Sequence, residues 1–186
     1  MATPLVHACA GVILLAIPLA RGWIDVKQPV WRWIILAMFL ACLPDFDIIP
    51  SFLIFGDVRW HYKHTHSLLF CALAGLLIAA VWGHKMAMLS TTLIASHLLI
   101  DALTGLNPGL NQSYGIPALL PFTREKFGFS VTLFQGVYHD NWLSERNIRN
   151  ALFDLAIYLP LLVLTLLYIS RISGLRVSLS KKEINQ

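Results

Sequence analysis

The sequence predicts an all-α, polytopic membrane protein with about five transmembrane helices (four to five) and a re-entrant or interfacial segment before the last one. Three observations lead there. The 186 residues are 57% hydrophobic and 13% charged, with a mean hydropathy of +0.67, whereas a soluble domain is nearer half apolar and a quarter charged. The apolar residues gather in five runs, two of them reaching and three falling short of the ~20 residues that a helical span requires. The histidines and several aspartates collect at the ends of those runs rather than scattering along them. The expected organisation is one helical membrane domain over 1–170 and a basic, polar tail over 171–186.

The first run, 4–20, is short and carries His7 near its start and Pro18 near its end. It lacks a positive leading segment and a small-x-small cleavage site, so it is expected to be retained. Arg21, Asp25, Lys27 and Arg32 mark a polar turn, and Trp23, Trp31 and Trp33 beside it read as an interfacial aromatic belt. The second run, 30–44, ends at Pro44-Asp45. After the polar stretch 56–66 comes the third run, 67–83, then a tight turn at His84-Lys85 and a fourth run, 86–105, containing His97 and Asp101. Residues 106–148 form a long mixed segment in which YGIPALLPF reads as a re-entrant or interfacial piece. The fifth run, 151–170, contains Pro160, and the tail follows. Cys9, Cys42 and Cys71 lie in apolar runs without CxxC spacing and read as packing residues.

On this up-and-down path, odd helices start and even helices end at the same membrane face. His7 starts the first helix, and Asp45 and Asp47 end the second. His61, His64 and His66 precede the third, and His97 and Asp101 lie towards the end of the fourth. All of them therefore fall on one face, as do His139, Asp140 and Glu145 of the long segment. Of the 14 Lys and Arg residues, eight (Arg21, Lys27, Arg32, Lys85, Arg171, Arg176, Lys181, Lys182) fall on the tail side. The other six (Arg59, Lys63, Arg124, Lys126, Arg146, Arg149) fall on the site side. Positive charge favours the cytoplasm, which puts the tail inside and the site on the outer face. The net charge of +4 is spread over loops and tail. That pattern suits topology and lipid headgroups, and no direct nucleic-acid binding is expected.

Asp and His are the usual oxygen and nitrogen ligands of zinc and related ions. His97 and Asp101 are four apart and share a helix face; the alternative is a buried His–Asp hydrogen bond that locks helices together. Asp45 and Asp47 diverge if the chain is extended after Pro44 and converge if it turns; the alternative is simple helix termination. His61 and His64 lie close together if helical, and Thr65 or Ser67 is the expected N-cap. The expected metal ligands are drawn from His7, Asp45, Asp47, His61, His66, His97 and Asp101. That is more than one ion needs, so either two ions bind or some of these residues orient the others.

The residues LPDFD, HYKHTHS, SHLLIDALTG and YGIPALLPF resemble the YdjM-like family of bacterial inner-membrane proteins, described as metal-dependent hydrolases and in some cases as LexA-binding. The resemblance covers residues 5 to about 125. Its pattern falls on Asp45 and Asp47, on His61, Thr65, His66 and Ser67, on His97 and Asp101, and on Gly115, Leu119, Pro121 and Phe122. An early histidine matches His7. The chain departs at Tyr62, where the family often has Arg, and His64 occupies a variable position. The resemblance implies the inner membrane and metal-dependent hydrolysis.

At this depth the natural substrate is a lipid-like ester or phosphoester, and membrane lipids are the expected surroundings. A divalent metal, zinc first, is the expected cofactor, with Asp47 or Asp101 as general base. No GxSxG nucleophile motif occurs. The competing reading is a non-enzymatic metal-binding membrane protein with a docking or regulatory role towards a protein partner.

Overall fold

The computed structural model describes residues 2–24, 29–56, 61, 64–106, 114–138, 141 and 143–184, with Phe55 and 175–184 described by backbone alone. Asp25, Lys27, Asp57, Arg59, Tyr62, Lys63, His139 and Asp140, and the side chains of Arg176, Lys181 and Lys182, lie outside the described residues.

The chain is all-α, with no strand among the described residues. Its helices are α1 (Pro4–Ala20), α2 (Val30–Cys42), a 3-10 turn (Leu43–Asp47), α3 (Ile48–Phe55), α4 (Leu68–Trp82), α5 (His84–Ala102) and α6 (Glu145–Ile184). Two stretches, Val30–Ile54 and Glu145–Gly174, are long and apolar enough to cross a membrane; Pro4–Ala20 and Leu68–Trp82 are shorter apolar helices. α5 is less apolar because Lys85, Ser90, Thr91, Thr92, Ser96, His97 and Asp101 lie along it.

Local chemistry sets the boundaries. Pro4 opens α1, where a missing N–H costs nothing. The second run does not stop at Pro44: Pro44 sits near the start of the 3-10 turn, and helical geometry resumes through Phe55. Gly56, at φ +63°, ends α3 in the left-handed conformation. Ser67 caps α4, its hydroxyl accepting the Phe70 N–H at 3.2 Å. The reversal between α4 and α5 is made by Gly83, at φ +81°, so the turn lies just before His84 rather than at His84-Lys85. α6 begins six residues before the fifth apolar run and continues through the tail.

α1 lies against α2, α5 and α6, and α5 packs against both α2 and α4. Val12, Leu15, Leu19, Leu93, Ile94 and Ile169 form the core. Gly11 lets α1 approach α2 closely, for a Cβ there would lie 2.8 Å from the Ala41 Cβ. Outside the core, the surface is apolar. Leu73, Leu76, Leu77, Val81 and Trp82 of α4 and Leu152, Leu164 and Leu167 of α6 are exposed. In water such a surface would be a large liability; in lipid it is the ordinary outer face of a helix bundle.

The long segment is irregular. Ile116 pairs with Phe127 and Thr104 with Phe134 as isolated bridges. Its end is tied to α6 by Asn147, whose Oδ1 accepts the Tyr138 N–H at 2.9 Å while its Nδ2 donates to the Tyr138 carbonyl at 2.9 Å. Asn150 donates to the Gly136 carbonyl at 3.3 Å. One turn further on, the Thr3 hydroxyl donates to Asp154 at 2.6 Å, which fixes the start of α1 against α6.

Candidate metal centre

The up-and-down order brings the start of α1, the end of α2, the start of α4 and the end of α5 together, and there the seven expected residues meet. His7, His66, His97 and Asp101 are completely or almost completely buried, and His61 is 5% exposed. Polar side chains are buried at this density only when they satisfy one another or hold a cation.

The centre is a group of four atoms. His97 Nε2 lies 3.2 Å from His66 Nε2, 3.2 Å from Asp45 Oδ1 and 3.5 Å from Asp101 Oδ2. His66 Nε2 lies 3.4 Å from Asp45 Oδ1 and 3.6 Å from Asp101 Oδ2. Tetrahedral zinc with bonds of roughly 2.0–2.2 Å spaces its nitrogen and oxygen ligands about 3.3–3.6 Å apart. The five observed separations, 3.2–3.6 Å, lie within about 0.1 Å of that spacing.

Ring tautomers show why these atoms face one another. His97 Nδ1 is 2.8 Å from the Ala41 carbonyl. A carbonyl only accepts, so Nδ1 carries a hydrogen, and a neutral ring in that tautomer turns a lone pair at Nε2 inward. His66 is arranged alike. The Thr65 hydroxyl donates to Asp47 Oδ2 at 2.6 Å, so its oxygen, 3.1 Å from His66 Nδ1, accepts that N–H. Burial holds the His66 ring below its ordinary range, at about 4, against the pull of the neighbouring Asp45 carboxylate. Both Asp45 oxygens are buried and have no hydrogen-bond partner among the described residues. Ring nitrogens and carboxylate oxygens thus face one another in an arrangement that could hold a cation.

The remaining residues surround this group. Asp101 Oδ1 accepts the Ala2 N–H at 3.0 Å and lies 3.3 Å from His7 Nε2, and the His7 ring stacks on His97 at 3.7 Å. Asp47 accepts a short hydrogen bond from His61 Nδ1, leaving His61 Nε2 3.8 Å from Asp45 Oδ1. In the 3-10 turn, at three residues per turn, residues two apart point about 120° from each other. Asp45 and Asp47 therefore reach opposite edges of the same His66 ring, a geometry between the two expected from the sequence.

Three groups among the described residues could each hold an ion: His7, His97 and Asp101; Asp45, His66 and His97; and Asp47, His61 and His66. His64 is exposed and joins none of them, and Glu145 is exposed at the start of α6. Sequence reading missed the bridging role of Thr65 and the polar stripe Asn147, Asn150 and Asp154. The stripe was signalled by its spacing of three and then four residues, which marks one helix face. Thr65 carries no comparable local signal, because its two partners come from different segments.

The model of the YdjM inner membrane protein family matches residues 1–176. The chain therefore belongs to that family. No curated protein matches it, and no solved structure does.

Proposed function

For a member of the YdjM inner membrane protein family, we propose a metal-dependent hydrolase, with a divalent ion, zinc first, held by Asp45, His66, His97 and Asp101. The chain is read as multi-pass, with the centre at the outer face and a lipid-like ester or phosphoester as substrate. One observation carries the reading: His66 Nε2 and His97 Nε2 lie 3.2 Å apart, and each lies 3.2–3.6 Å from Asp45 Oδ1 and from Asp101 Oδ2. A divalent ion there supplies Lewis acidity and a water acidified to a pKa of about 7. The chain's residues do the rest. Ala41 and Thr65 fix the ring tautomers, the Ala2 N–H and His7 orient Asp101, and Asp47 holds His61 with Nε2 turned towards the centre. Of the two carboxylates expected as general base, this reading makes Asp101 a ligand and leaves proton transfer to the His61–Asp47 pair.

The competing reading has its own observation. Four protein donors fill a tetrahedron, and closed sites are usually structural. Against it, the Asp45 side chain is 10% exposed while those of His66, His97 and Asp101 are fully buried. Asp45 thus stands nearest the open side of the centre, although both its oxygens are buried.

The test is metal analysis of the full chain purified in mild detergent, followed by Asp45→Ala, His66→Ala, His97→Ala and the near-isosteric Asp101→Asn. Each substitution is expected to remove most of the bound metal. Unchanged metal in all four overturns the centre. A folded, metal-loaded protein that hydrolyses no lipid ester or phosphoester overturns the enzyme and leaves the binding protein.

A further inference from the structure

Between α5 and α6 the chain displays FTREKFGF, residues 122–129, in which a charged block is flanked by phenylalanines. Phe122 is 86% exposed, Phe127 53% and Val131 60%. Arg124, Glu125 and Lys126 between them are exposed too and sum to a positive charge. The backbone beneath is anchored to the bundle. The Leu68 N–H donates to the Ala118 carbonyl at 2.9 Å, Phe129 donates to Ala102 at 2.8 Å and Leu133 donates to Leu103 at 2.9 Å. These anchors are the first residue of α4 and the end of α5, so the segment is held at the same end of the bundle as the His/Asp cluster.

A fixed loop that exposes Phe beside Arg and Lys has the composition of a surface that lies in the headgroup layer. There the rings reach the acyl boundary and the cations meet anionic lipid. A family of inner membrane proteins supplies that layer next to the chain. We propose that residues 119–133 form an interfacial membrane-binding surface: Phe122 enters the acyl boundary, and Arg124 and Lys126 bind the phosphates of anionic glycerophospholipids of the surrounding leaflet. The surface stands apart from the metal centre and sets the depth of the cluster beside it at headgroup level.

The test uses the full chain in nanodiscs of phosphatidylcholine with or without phosphatidylglycerol. An environment-sensitive fluorophore on Phe122→Cys is expected to show blue-shifted emission and strong quenching by lipids spin-labelled near the headgroup end of the acyl chain. Water-like emission without quenching overturns the insertion. Emission that shifts with protein concentration instead of lipid label assigns the surface to a second copy and also overturns it. In wild-type chain, phosphatidylglycerol should be retained over phosphatidylcholine through delipidation. The doubly charge-reversed R124E/K126E should lower that preference at least about fivefold, as expected from losing even one such charge. An unchanged preference overturns the headgroup assignment. Both altered residues are exposed, so folding is expected to survive. Metal content measured on the same samples separates failure of this surface from failure of the metal centre.

Discussion

Thr65 shows how much of the candidate centre depends on single atoms. Its hydroxyl is both donor to Asp47 and acceptor from His66 Nδ1, so one oxygen sets a ring tautomer and restrains a carboxylate. Partners of this kind typically change metal affinity 10–100-fold. Thr65→Val keeps the shape and removes the hydroxyl. It is expected to weaken zinc binding by about that factor while the chain stays folded, as read by competition with a chelator of known affinity; an unchanged affinity removes Thr65 from the centre. The sequence names Thr65 only through a family pattern or as an N-cap, and Ser67 takes the cap. A hydroxyl that bridges residues 18 apart and one apart leaves no periodic trace. Of the expected ligands, all seven meet, because each stands at a helix end whose side of the bundle follows from counting helices.

At the scale of elements, the reach of Asp45 and Asp47 was not legible. Pro44 is compatible with a stop, an extended exit or a tightened turn, and the structure takes the third. The tail was equally opaque: its basic, polar composition with Gly174 does not mark a helix, yet α6 runs through it to Ile184. Close approach of α1 and α2 is the element-level feature most open to test. Ala41 belongs both to that contact and to the centre, since its carbonyl orients His97. A Cβ added at Gly11 would sit 2.5 Å from the Ala37 carbonyl and 2.8 Å from Ala41, which is overpacking against backbone that cannot easily move. Gly11→Ala is expected to destabilise the folded chain by about 1–3 kcal/mol, seen as a lower melting midpoint in detergent. Bound metal should be released at a lower temperature than in wild type. A midpoint equal to wild type would mean that the helices separate without cost.

For the whole molecule, composition already required a membrane, and the exposed leucines of α4 and α6 are its structural counterpart. The direction in which the chain crosses it rests on charge. Eight Lys and Arg on the tail side against six on the site side predict a cytoplasmic tail. A C-terminal fusion to a reporter active only in the cytoplasm should be active, and one to a reporter active only outside should be silent; the reverse result turns the centre to the cytoplasm.

The length of α6 bears on any partner that docks at that tail. Forty residues at 1.5 Å each make a rod of about 60 Å, roughly twice the ~30 Å hydrocarbon thickness. Its first turns, pinned by Asn147, Asn150 and Asp154, lie at the cluster's end. If the helix crosses the hydrocarbon from there, its far end stands clear of the lipid like a mast, about 60 Å along the rod from the cluster's end of the bundle. A protein gripping the mast would have no direct touch on the centre. It could act there only by tilting or turning a rigid lever whose foot is fastened, through Thr3, to the first turn of α1.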